Sequence, residues 1–181
     1  MKIRIWIGVF LIGSILVLGT WNARGDDDDY GEGSSRVSPV TNVLYAEECG
    51  SCHFAYQPGL LPERSWKKMM ANLSDHFGDN AELDPQDSRA IEAYLSGNAS
   101  DSSRRGSSGK LSRSIRASET PLRISETRYI VRKHHEVPKR MISDNPEVRS
   151  LSHCDTCHSD AEKGSYDEDR VSIPGFGRWD D

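Results

Sequence analysis

All four cysteines of this chain fall into two copies of one five-residue pattern, Cys49-Gly50-Ser51-Cys52-His53 and Cys154-Asp155-Thr156-Cys157-His158. C-x-x-C-H is the attachment pattern of a c-type haem. Its spacing has a chemical reason. Two thiols separated by two residues can bond the two vinyl groups of one porphyrin, and the next residue, histidine, then reaches the iron as the proximal ligand. One match arises readily by chance; two matches that leave no cysteine over do not. Apolar residues make up 35% of the chain and the mean hydropathy is −0.65. So little apolar side chain suits a small protein whose two covalent porphyrins supply much of its core, and the chain is expected to fold poorly without them.

The competing uses of paired cysteines are local disulfides, a redox-active dithiol or a zinc site. Structural zinc draws its paired ligands from a short stretch, whereas a long polar segment separates these two pairs. A thioredoxin-like dithiol sits near a β-α-β pattern, and none surrounds Cys49. Haem accounts for all four thiols and both following histidines.

Lys2 and Arg4 precede the apolar run Ile5 to Leu18, which ends at Gly19. A charged n-region followed by such a run reads as a secretory signal over residues 1–19, with an uncleaved anchor as the alternative. The leader has no twin-arginine pair, so general secretion to the Gram-negative periplasm is expected, with haem attachment after export. Losing Lys2 and Arg4 makes a chain of formal charge −5 more acidic by two. Nucleic-acid binding needs a basic footprint and is disfavoured. Membrane contact is expected only through a donor protein or an uncleaved anchor.

Residues 20–42 carry Asp26-Asp27-Asp28-Asp29 among glycines and serines, the composition of an acidic disordered spacer. The first haem unit is expected over 43–97. Trp66, Met69, Leu73 and His76 recur at helical steps within Arg64 to Phe77, with Gly78 as a stop. A second helix has Asp84 as its cap, Pro85 at its first position, Gly97 at its end and an inward stripe of Ala90, Ile91, Tyr94 and Leu95. Residues 98–118 hold eight serines, five basic residues (Arg104, Arg105, Lys110, Arg113, Arg116) and one acid, Asp101, which predicts a polar basic loop. The second haem unit is expected over 119–181. In it, Ser125 caps a helix through Glu136 that Pro138 stops, and Asn145-Pro146 opens a short helix. The fold class is therefore mainly α with extensive loops, in two haem-binding units.

Function turns on the second axial ligand of each iron. Of six histidines, His53 and His158 are proximal, leaving His76, His134, His135 and His153. A lone histidine in an apolar stripe is ordinarily structural, but beside a covalent haem His76 becomes the leading ligand candidate. Met69 and Met70 are its rivals. They lie nearer the helix start and suit packing, and His/Met ligation would raise the reduction potential. For the second haem, His134 and His135 point about 100° apart on a helix, so one of the two ligates. Ile130 backs the first and Val131 the second, and periodicity does not choose between them. His153, next to Cys154, cannot easily reach the far face of that haem. With two histidines on each iron, no position is open to peroxide, oxygen or nitrite. That arrangement suits electron transfer rather than catalysis.

Several further segments carry a resemblance. They are His76-Phe77-Gly78-Asp79-Asn80-Ala81-Glu82-Leu83, Ile91-Glu92-Ala93-Tyr94-Leu95 and Pro121-Leu122-Arg123-Ile124-Ser125-Glu126-Thr127. To these add His134-His135-Glu136-Val137-Pro138, Ala161-Glu162-Lys163-Gly164 and Val171-Ser172-Ile173-Pro174. With the two motifs, the chain resembles the small soluble dihaem cytochromes c of Gram-negative bacteria. The resemblance implies axial pairs of His53 with His76 and of His158 with His134, the family varying at the position of His135. It also implies a first unit distantly like a class I cytochrome c. The implied role is carrying electrons from a membrane b-type cytochrome to a small high-spin monohaem cytochrome. Two other dihaem proteins fit less well. The small dihaem subunit of a periplasmic nitrate reductase has a ligand-and-motif order not found here, and dihaem peroxidases are longer chains.

Overall fold

The computed structural model describes residues 36–102 and 106–179. The expected leader 1–19, most of the spacer, and Arg104 and Arg105 lie outside the described residues. The architecture is mainly helical with long connections. Among the described residues one small sheet pairs β1 (Ser172–Ile173) with β2 (Gly177–Arg178), antiparallel. No helix among the described residues is long and apolar enough to cross a membrane.

Helix α1 (Val43–Gly50) begins where the Asn42 side chain accepts the Tyr45 N–H at 2.8 Å, satisfying one of the orphan donors of the first turn. Helices α2 (Glu63–Met70) and α3 (Pro85–Gly97) pack on it. In α3 the sequence signals hold. Asp84 caps Gln86, Pro85 is the first residue and Gly97 the last. Ile91 and Leu95 are buried with Tyr45, Leu61, Trp66, Met70 and Ala99, but Ala90 is exposed and takes no part in the stripe.

Elsewhere the local expectations fail in instructive ways. The helix expected over Arg64 to Phe77 stops at Met70, followed by a 3₁₀ turn over Leu73–Asp75. There Asn72 Nδ2 donates to the Asp75 carbonyl at 3.1 Å, and Asp75 Oδ1 accepts the Gly78 N–H at 3.2 Å. Short polar side chains that bond nearby backbone compete with helix continuation. The helix expected from Ser125 to Glu136 shortens to α5 (Arg128–Lys133), with a 3₁₀ turn at Ile124–Glu126 before it. Asn145-Pro146 opens a single turn rather than a helix: Asn145 caps the Glu147 N–H, but Arg149 takes a φ of +65° and the right-handed path ends there.

Two segments read as loose are built into the core. Within 98–118, residues Gly106–Ser114 form helix α4, whose Leu111 is buried and followed by the buried Ile115, against Val37 and Leu60. Two apolar residues four apart on a serine-rich background are too weak a pattern to announce this helix; tertiary packing makes it. Residues 36–42 of the presumed spacer are likewise ordered. Val37 is buried, and its N–H donates to the Gly164 carbonyl at 2.8 Å. The backbones approach so closely that a Cβ on Gly164 would lie 1.9 Å from the Val37 carbonyl oxygen, and Gly164 has φ +72°, so glycine is required there.

Gln57, fully buried, joins the two halves of the chain. Its Nε2 donates to the Ala161 carbonyl at 2.6 Å, and its Oε1 accepts from the Tyr166 hydroxyl. Tyr56 adds a second link, donating to the Ser152 carbonyl at 2.6 Å. Replacing Gln57 with Leu strands both partners, and a buried polar group left unpaired costs about 1–3 kcal/mol. We expect Gln57→Leu to lower unfolding free energy by about 2–4 kcal/mol in denaturant titration. A loss below the error of the method would show that these links add nothing.

Candidate functional site

Each motif sits at a helix end. Cys49 is in the last turn of α1, and Cys52 and His53 follow in the turn beyond it. Cys154–Cys157 forms the single-turn helix α6, with His158 directly after it. A turn of helix brings both thiols of C-x-x-C to one side and releases the histidine. All four cysteines are free. Burial pushes the thiol of Cys49 up to about 11 and that of Cys154 up to about 12.

Opposite each motif histidine stands another imidazole. The rings of His53 and His76 are 6.0 Å apart between centres with an interplanar angle of 21°, and those of His134 and His158 are 6.1 Å apart at 78°. Two imidazoles on opposite sides of one metal, with bonds of about 2 Å, place their ring centres a little over 6 Å apart. Both pairs meet that spacing. Among the described residues no three His, Cys, Asp or Glu side chains group together as a metal site. Two opposed donors are too few for structural zinc, which needs four, but they suit an iron whose other four ligands come from a porphyrin.

Hydrogen bonding orients two of the rings. His53 Nδ1 lies 2.8 Å from the Phe54 carbonyl and His134 Nδ1 2.9 Å from that of Ile130. An N–H held on Nδ1 leaves Nε2 as the donor atom to a metal. The Nδ1 atoms of His76 and His158 are buried without a partner. Burial, with His53 nearby, lowers the His76 value, and burial with His134 behind it pulls His158 down to about 4. Both imidazoles are thus neutral near pH 7, the form that can bind a metal.

The site residues expected from the sequence line one cavity of about 1070 Å³, shared by both motifs and both histidine pairs. It is at the top of the range of about 300–1,000 Å³ usual for a single small-ligand pocket. Met69, Met70 and His153 also line it. Met70 is buried with Trp66 and Ile91, and Met69 packs against that cluster. His135 is exposed, its Nδ1 2.7 Å from the Arg132 carbonyl and its Nε2 3.6 Å from the Glu136 carboxylate. His153 turns its Nδ1 to the Val148 carbonyl at 2.6 Å.

Three aromatic neighbours of the imidazoles have no sequence signature. Tyr56 lies 5.2 Å from the His53 ring, Tyr166 5.4 Å from His158, and Phe77 4.9 Å from His76. Tyr56 lies three residues after His53 and Tyr166 eight after His158, both outside helices and turns. Phe77 stands next to His76.

A family model for dihaem cytochrome c matches residues 45–166. No curated protein matches the chain. Among solved structures, a dihaem cytochrome c from Shewanella baltica OS155 is 47% identical, with 77% of this chain and 98% of that chain covered and a TM-score of 0.64. A dihaem cytochrome c from Rhodobacter sphaeroides is 45% identical over 72% of this chain and 100% of its own, at a TM-score of 0.65. A DHC purified from Rhodobacter sphaeroides is 43% identical over 71% of this chain and 99% of its own, with a TM-score of 0.57. With two C-x-x-C-H sites opening on one cavity, the chain belongs to the dihaem cytochrome c family, an electron-transfer haem protein with two covalently bound c-type haems.

Proposed function

We propose that this protein is a periplasmic electron carrier and not an enzyme, each iron held between two histidines, His53 with His76 and His158 with His134. The observation that carries this is the pair of facing imidazoles at each motif, at 6.0 and 6.1 Å between ring centres. Each haem supplies an iron that cycles between the ferric and ferrous states by one electron. The chain's part is to keep the ligand set the same in both states. His53 and His134 are locked by backbone carbonyls, and neutral, buried imidazoles face them. Two histidines on each iron leave no position for a substrate, and a site that need not rearrange exchanges electrons readily.

Support for the partners comes from the family likeness and from exposure. Cys52 and Phe77 reach the surface beside the first site, which gives an incoming protein a short approach. The donor is a membrane b-type cytochrome and the acceptor a small high-spin monohaem cytochrome. Export follows from the leader-like residues 1–19. Fractionation of the native host should recover the protein with the periplasmic contents.

The intact mass of the mature protein should exceed that of the polypeptide by two haem groups; one or none would end the dihaem assignment for this chain. His134→Ala should open the second iron, giving a high-spin ferric signal and carbon monoxide binding when reduced. His135→Ala should leave both irons low-spin. The reverse result would reassign the ligand. His76→Met should raise the potential of the first haem, because thioether sulfur favours ferrous iron relative to imidazole; an unchanged potential in a redox titration would remove His76 from that iron.

A further inference from the structure

The two histidine pairs are alike in spacing and different in orientation. His53 and His76 are near-parallel at 21°, whereas His134 and His158 are near-perpendicular at 78°. The means of holding them are alike in kind. In each pair one imidazole is tied by its Nδ1 to a backbone carbonyl, His53 to Phe54 and His134 to Ile130. The other, His76 or His158, has a buried Nδ1 without a hydrogen-bond partner and an aromatic ring set against it. Packing alone sets the His76 ring, and the aromatic ring set against it is Phe77, at 4.9 Å and 63°.

Phe77 occupies that place at a cost. His76 and Asp79 bridge a two-residue turn, the His76 N–H donating to the Asp79 carbonyl at 2.7 Å. Phe77 and Gly78 fill the turn with φ of +59° and +104°. Glycine or asparagine belongs at such positions, and a bulky residue there is strained by about 1–3 kcal/mol. Phe77 is also 45% exposed, so burial gives little in return. The Arg123 guanidinium lies over its ring, 4.1 Å from the centre, a cation–π contact that also holds it. A strained, half-exposed aromatic held against a ligand ring is a feature that folding alone does not call for.

Resting on the bis-histidine reading above, we propose that Phe77 is a positioning residue that holds His76 near-parallel to His53, so that the two haems are electronically distinct despite identical ligands. An imidazole donates π density into the iron d orbital perpendicular to its own plane. Near-parallel rings raise the same orbital and split the upper pair. Near-perpendicular rings raise one orbital each and leave the two close in energy. Closely spaced orbitals retain more orbital angular momentum, so the ferric ion shows a larger maximum g value.

Low-temperature EPR of the oxidised holoprotein tests this. Two low-spin signals are expected, with the second site showing the larger maximum g. His134→Ala, which removes the second site's low-spin signal, assigns them. Phe77→Asn suits the backbone of the turn and removes the ring; it should move the first signal to a larger maximum g and leave the second unchanged, which also reports an intact fold. Phe77→Tyr should retain the native spectrum. Two native signals of equal anisotropy, or a first signal unmoved in Phe77→Asn, would overturn the proposal. A high-spin or methionine-ligated native iron would instead overturn the bis-histidine reading on which it rests.

Discussion

Four imidazoles facing one another in two pairs across one cavity set the terms for the rest of this fold. Each pair needs a motif histidine released from a helix end and a second histidine brought from elsewhere in the chain. His53 leaves the turn after α1, and His158 follows α6 directly. Their counterparts come from places where helices have ended. His76 lies in the tight turn beyond α2, and His134 closes α5, its N–H on the Ile130 carbonyl. A helix would fix a side chain's direction by its phase, while a helix end or turn lets the backbone aim it. The short helices and abundant turns follow from that demand.

The same demand explains where the long-range polar contacts lie. A cavity for two porphyrins divides the side-chain core, leaving one cluster around Trp66, Ile91 and Leu95 and another around Val37, Leu60 and Leu111. Buried hydrogen bonds cross the gap between sequence-distant segments, from Gln57 to Ala161 and Tyr166, and from Tyr56 to Ser152. In a low-dielectric interior such bonds are stronger and directional, so they fix the relative placement of the two motifs. Arg64 does similar work at the surface, donating to the Glu119 and Arg116 carbonyls at 2.6 and 3.0 Å and pinning the segment after α4.

Charge is distributed so that ionic contacts stay at the periphery. Asp160 pairs with Lys163 at 2.9 Å and with Arg170 at 2.6 Å, and Glu119 pairs with Arg116 and Arg128. Mostly exposed pairs of this kind contribute little stability. Their use is to hold loops around the cavity. Inside it, burial disfavours the charged form of His76 and His158.

How much was legible in the sequence depends on whether the signal is local. The motifs state both haem attachment sites and proximal histidines within five residues each, and Asp84, Pro85 and Gly97 mark α3 to the residue. Helical period drew attention to His76 for a reason that failed, since it stands in a turn and not on the helix of Trp66. Periodicity could not separate His134 from His135; in the structure the first faces His158 while the second is exposed. Helix α4, the buried segment at Val37, Gln57, and the rings of Tyr56, Phe77 and Tyr166 were invisible. Their roles exist through partners far along the chain or, for Phe77, through a backbone angle that no composition announces. Covalent chemistry is written in short-range spacing and is therefore fixed by the primary structure. Ring orientation, burial and the joining of the two units arise from contacts between distant segments, and the tertiary structure alone decides them.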